Sequence, residues 1–132
     1  MTASTQSVEL AALAGEAAAE KLAEQVVAFD VSDQLYIADI FLLCSAANDR
    51  QVRAVVDAVE EKLRERSVKP LRREGEPERH WVLLDFGDLV VHVQLDEDRD
   101  YYDLERLWAD CPVVSLPEES QGRPRHVTGR RS

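Results

Sequence analysis

The chain has 132 residues, 45% of them hydrophobic and 32% charged, the balance of one globular domain that buries its own core without disulfides or metal. The net charge is −10, yet the last twelve residues hold four arginines and no acid. Without those four, residues 1–120 carry 12 basic against 26 acidic side chains, a net −14, which argues against broad nucleic-acid binding and suits a basic protein partner.

Residues 1–6 are polar and are expected to form a flexible N-terminus. Ser7 is a candidate N-cap for a first helix, along which Val8, Ala11, Ala12, Gly15, Ala19 and Leu22 recur at helical spacing. Val26, Val27, Phe29 and Val31 then read as a strand that ends at Asp30, Ser32 and Asp33. Ile40-Phe41-Leu42-Leu43-Cys44 is a continuous apolar run, the pattern of a central strand buried on both faces. Asn48 and Asp49 open a second helix with its apolar stripe at Val52, Val55, Val56, Val59 and Leu63. Residues 68–71 read as a short strand, with Pro70 placing it at an edge or an end, and the charged stretch 72–80 reads as a loop.

The strongest strand signals are Trp81 to Phe86 and Leu89 to Leu95. Only Gly87-Asp88 separates them, which predicts a type II′ hairpin. After an acidic turn at Asp96 to Asp98, Tyr101, Leu104, Leu107 and Trp108 are expected to share a helical face. Residues 111–114 read as a closing extended segment, and residues 117–132 as a disordered basic tail. The order α-β-β-α-β-β-β-α predicts a single α/β domain over residues 7–116, with helices flanking a mixed β-sheet.

Little in the chain points to catalysis. The five glycines form no Gly-x-Gly, and neither a phosphate loop nor a hydrolase or zincin motif occurs. Cys44 and Cys111 are far apart with no ligand cluster, so two reduced thiols and no zinc are expected. No stretch approaches the ~20 apolar residues of a membrane span. Residues 1–9 lack a secretion signal, and a cytoplasmic location is expected. Asp85 and Asp88 flank the hairpin turn. Two acids there fit a magnesium site, but a third acid and a substrate element are missing, and a turn role for Asp88 with a strand-end place for Asp85 suffices. His92 has the chemistry of a general base but no paired nucleophile, so a structural or partner-contact role is expected. His80 is expected to be exposed. Trp81 begins a strand beside a charged loop, as either an interface anchor or a rim-of-core residue. Tyr101, Tyr102 and Trp108 form a second aromatic group, read as helix-to-sheet packing.

Three stretches resemble one known family. The segment from Asp39 to Ser45 followed by Asn48-Asp49-Arg50-Gln51-Val52, the hairpin from Trp81 to Val93, and the helix from Arg99 to Trp108 are similar to the ribosomal silencing factor (Iojap-like) family. Departures are Ser45-Ala46-Ala47-Asn48 where the family has Ser-Gly-x-Ser, and His80 where a glycine is common. The resemblance implies a fold akin to nucleotidyltransferases but without their catalytic motif, no enzymatic activity and no cofactor. It implies binding to the large ribosomal subunit through its protein L-fourteen, a block on small-subunit association, and repression of translation under nutrient limitation. Homodimers are implied off the ribosome. Trp81, Asp85, Phe86, Asp88, His92 and Tyr101 are the expected partner-binding residues, and the tail is a candidate for weak ribosomal RNA contact. The competing expectations are a degenerate metal-dependent nucleotidyltransferase using Asp85 and Asp88, and a generic dimeric interaction module.

Overall fold

In the computed structural model, which describes residues 3–34, 38–75 and 80–124, the chain enters helix α1 at Thr5–Glu20. Ser4, not Ser7, is the N-cap: its Oγ accepts the Ser7 N–H at 3.1 Å. Ser7 lies in the first turn, where its hydroxyl donates to Asp39 at 2.9 Å. The backbone N–H of Ala3 donates to Asp30 and that of Ser4 to Asp39. These bonds start the helix earlier than expected and tie down residues 3–6 of the segment expected to be flexible. The buried face of α1 runs through Leu10, Ala11, Ala14, Gly15, Ala17 and Ala18, rotated slightly from the stripe read in the sequence.

Strand β1 (Glu24–Asp30) pairs antiparallel with β2 (Ile40–Ala46). Helix α2 (Asp49–Arg64) follows, capped by Asn48, whose side chain accepts the Gln51 N–H at 2.9 Å. Its five expected apolar residues are all buried. The strand expected at 68–71 forms instead at β3 (Arg72–Glu74), three exposed residues at the outer edge of the sheet. Pro70 has no N–H to give to a ladder, so pairing begins beyond it.

Strands β4 (Trp81–Asp85) and β5 (Leu89–Leu95) form the expected hairpin. Gly87 has φ +96 and Asp88 is not at positive φ, the pattern of a type II′ turn. β5 returns parallel to β2, and the short β6 (Val113–Val114) pairs with β1. The mixed sheet has the order β3-β4-β5-β2-β1-β6.

After β5 the expected single helix is two. α3 (Asp96–Tyr102) starts at the acids expected as a turn, which suit a helix N-terminus. Asp103, left-handed at φ +49, then breaks the chain before α4 (Leu104–Leu107). The break defeats the expected shared face: Leu104 is buried and Trp108 half-buried, but Tyr101 and Leu107 are 80% and 73% exposed.

The expected tail boundary at 117 also moves. A 3-10 turn at Glu118–Ser120 docks on α1, where the Ser120 hydroxyl donates to the Ala12 carbonyl at 2.7 Å. A Cβ on Gly15 would lie 2.6 Å from the Ser120 oxygen. Residues 121–123 then strap the open edge of β1: Gln25 N–H donates to Arg123 O, Val26 N–H to Gln121 O, and Arg123 N–H to Ala23 O. The low apolar content of this segment hid a docking made largely by backbone groups, which an unpaired sheet edge needs. The rest of the expected tail, 125–132, lies outside the described residues.

The main core lies between α1–α2 and one face of the sheet. A smaller cluster on the other face joins Phe29, Val31, Ala38, Val90 and Cys111. Cys44 and Cys111 are free and buried, and burial pushes the Cys44 thiol up to about 12. Among the described residues no helix is long and apolar enough to cross a membrane.

Candidate functional site: an aromatic sheet face

Strand alternation divides the side chains between the two faces. Val82, Leu84 and Phe86 point with Val91 and Val93 into the main core. Trp81, Leu83 and Asp85 point the other way, with Val90, His92 and Gln94 of β5. The cross-strand rows on this second face run Leu83–His92–Leu43–Val27 and Asp85–Val90–Phe41–Phe29. The long helices cover the first face. On the second, a single layer of aromatic side chains closes the surface.

That layer centres on His92, which is 4% exposed. The Trp81 indole N–H donates to His92 Nδ1 at 3.2 Å, which leaves the proton of the neutral ring on Nε2. Phe41 stands edge-on to the imidazole at 5.2 Å between centroids, and Trp108 lies 5.3 Å away. Trp108 also packs on Phe41 and Phe29, at 4.7 and 5.5 Å. Tyr102 packs on Trp81 at 4.9 Å, and Tyr101 packs on Tyr102 at the same distance. Burial drives the His92 pKa down to about 4, so the ring is neutral near pH 7. Its Nε2 and the side-chain amide of fully buried Gln94 have no hydrogen-bond partner among the described residues.

The expected site residues therefore separate. Trp81 is half-buried, with one edge on His92 and one on Tyr102. Tyr101 stands out at the rim. Asp85 is half-buried; its Oδ1 accepts the Gly87 N–H at 2.9 Å, and its Oδ2 lies 3.5 Å from Arg72. Asp88 has an exposed side chain, while its carbonyl accepts the N–H groups of Asp39 and Ile40. His92 is buried too deep to be a surface contact itself, and its Nδ1 accepts the Trp81 indole N–H. Phe86 is a correction: expected at the partner-binding surface, it is 9% exposed and belongs to the main core. Two residues after Leu84, it shares that residue's face. Among the described residues no group of three or more His, Cys, Asp or Glu is placed to hold a metal ion.

Sequence reading missed Phe41, which looked like one member of a doubly buried run, and favoured helix-to-sheet packing for Tyr102 and Trp108. It also missed Arg99, a lone arginine in an acidic stretch that proves to be 1% exposed. The face as built suits an aromatic contact with acids at its margin, since aromatic residues are enriched at the centres of protein interfaces and charged ones are kept to the polar rim.

Comparison with known proteins agrees with this architecture. Residues 4–131 match the family model described as ribosomal silencing factor during starvation. The ribosomal silencing factor of Halalkalibacterium halodurans is 43% identical over 108 residues, covering 82% of this chain and 92% of that protein. The Bacillus subtilis factor is 38% identical over 104 residues, covering 79% and 88%. A crystal structure of a Chromobacterium violaceum protein superposes with a TM-score of 0.74 at 34% identity, covering 83% of this chain and 88% of that one. The chain belongs to the ribosomal silencing factor family.

Proposed function

We propose that the chain binds the large ribosomal subunit through its protein L-fourteen, blocks association with the small subunit, and so represses translation when nutrients run short. The observation that carries the contact surface is the sheet face not covered by α1 and α2, where Trp81, Tyr102 and Tyr101 stand at the surface at one end of β4 and Asp85 and Asp88 at its other end. In this reading the aromatic rings enter an apolar contact and the acids pair with cations of a basic protein. His92 holds Trp81 in orientation. The protein works in the cytoplasm without a cofactor, is not an enzyme, and pairs with a second copy when off the ribosome. Residues 125–132 add a salt-dependent contact to ribosomal RNA. The metal-dependent nucleotidyltransferase reading has no comparable support, because the Asp85 oxygens already face the Gly87 N–H and Arg72.

The test compares the parent with Trp81→Ala and Asp88→Ala, each first shown to be folded by circular dichroism and a thermal melt. Binding to isolated large subunits and subunit joining by light scattering are then measured. Trp81→Ala is expected to weaken binding by about 2 kcal/mol or more, the hot-spot threshold. Asp88→Ala is expected to weaken it less and to reduce its salt dependence. Folded variants that bind and block joining like the parent refute the surface. Failure of the parent to bind large subunits refutes the function.

A further inference from the structure

Arg99 is the largest of the side chains that are almost completely buried, and it comes from a helix of only seven residues. All five of its N–H groups have acceptors. Nε and one Nη2 hydrogen reach the two carboxylate oxygens of Glu105, both at 3.2 Å. Nη1 reaches the Glu24 carbonyl at 2.9 Å and the Ser45 hydroxyl at 3.1 Å, and Nη2 the Gln25 carbonyl at 2.8 Å. Two of these acceptors are available because β1 is irregular there: the register with β2 shifts between Glu24 and Val27, and Gln25 has φ +37. A bulge of this kind re-aims backbone groups out of the ladder. One guanidinium thus joins α3, α4, the bulge of β1 and the end of β2.

A buried ion pair is weak evidence for stability, since an apolar replacement of similar volume is often as stable. What the pair fixes is placement. Arg99 precedes Tyr102 by three residues, and Glu105 precedes Trp108 by three, so each charged residue lies about one helical turn before an aromatic of the open face. Between the two short helices stands Asp103, left-handed at φ +49. Neither helix is long enough to hold its own orientation. Tyr102 leans on Trp81 and Trp108 on Phe41 and His92 only if both helices are held at a fixed angle across that break.

We propose that Arg99, locked by Glu105, is a positioning residue that sets Tyr102 and Trp108 over the sheet and so shapes the partner-binding face. The proposal rests on the reading of that face as the ribosome contact. Arg99 touches no partner. It acts through the two helices, and its five bonds need the planar fork, which a lysine ammonium does not reproduce.

The experiment uses the full chain with Arg99→Lys and with Glu105→Gln, whose side chain is partly exposed and keeps one acceptor oxygen. Val59→Ala, in the main core away from the face, serves as a destabilised control. The two tryptophans give two indole N–H resonances, assigned with Trp108→Phe. Arg99→Lys is expected to shift or broaden the Trp108 resonance and to weaken binding to isolated large subunits at least tenfold. Glu105→Gln is expected to do the same to a smaller degree. Val59→Ala is expected to lower the Tm yet leave both resonances in place and binding within twofold. If Arg99→Lys does not fold, Glu105→Gln decides. A folded clamp variant whose two indole resonances match the parent overturns the proposal, as does one that binds within twofold of the parent. If the parent itself does not bind large subunits, the partner reading fails, and the indole resonances alone decide whether the clamp positions the helices.

Discussion

His92 makes the protein sensitive to mild acid in a way that can be worked out from its surroundings. The ring is buried among Phe41, Trp81 and Trp108, and burial alone drives its pKa from 6.5 to about 4. The unfolded chain therefore takes up a proton as the pH falls below 6.5, while the folded chain resists until about 4. A folded pKa below the unfolded one means stability is complete above pH 6.5 and is lost as the pH falls through that window. Each pH unit within it costs about 1.4 kcal/mol. At pH 5 the accumulated loss is roughly 2 kcal/mol, a Tm fall on the order of 8 °C for a domain of this size. The Asp30 carboxyl does not confuse the test. Burial raises it, but hydrogen bonds from Ser32 and Ala3 leave it below 3.8, so its effect lies at lower pH. Urea unfolding at pH 7, 6 and 5 would compare the parent with His92→Gln, which has no imidazole to charge. His80 and His126 are common to both and drop out of the difference. The parent should lose about 2 kcal/mol more than His92→Gln between pH 7 and 5. Equal losses in the two proteins would refute the claim that His92 is buried uncharged.

Three other outcomes follow from the geometry. Phe86→Ala should cost on the order of 3 kcal/mol in stability, as loss of a core phenyl does, and folded protein at low temperature should bind large subunits like the parent. A binding loss without a stability loss would return Phe86 to the contact surface. Deleting 117–132 should cost about 2–4 kcal/mol, because three strap hydrogen bonds and the Ser120 contact go at once, whereas deleting 125–132 should change stability by no more than about 0.5 kcal/mol. Equal melts for the two truncations would mean the strap contributes nothing. In stopped-flow binding to large subunits, added salt should slow association of the parent, while Trp81→Ala should speed dissociation. The reverse assignment would remove the acidic surface as the steering element.

Where side chains alternate cleanly, the sequence was a sufficient guide. The apolar stripe of α2, the β4–β5 hairpin and its glycine turn all appear where periodicity and turn chemistry put them, because each depends on neighbours within a few residues. The misses share a different cause. Phe86, expected at the partner-binding surface, has the same parity as Val82 and Leu84, and parity decides the face of a strand through its last pair. The strap at 121–123 carries almost no apolar surface. Its role depends on which edge of β1 is left open, and that is a property of strand order. The break at Asp103 has no glycine to announce it. Arg99 and Glu105 are six residues apart, a spacing that no regular helix brings together, so their pairing exists only because of that break.

The two faces of the sheet divide the protein's requirements between them. α1 and α2 bury a continuous core against one face, with alanines close on one helix and a valine stripe on the other, and that side is complete in itself. The other face has the smaller cluster and is finished by aromatic side chains set on two short helices rather than by a long helix. Here the aromatics do not reach their usual burial: Tyr102 is exposed and Trp81 half so, although an indole and a phenol are costly to leave in water when a core is available. Spending a buried, five-bonded arginine to hold such a surface makes little sense if its only task is to cover the sheet, since two ordinary leucines on a longer helix would cover it better. The arrangement makes sense if the surface must keep a fixed shape while remaining open. A partner then meets rings already in place and loses little freedom in ordering them, the condition under which a modest area gives a firm contact.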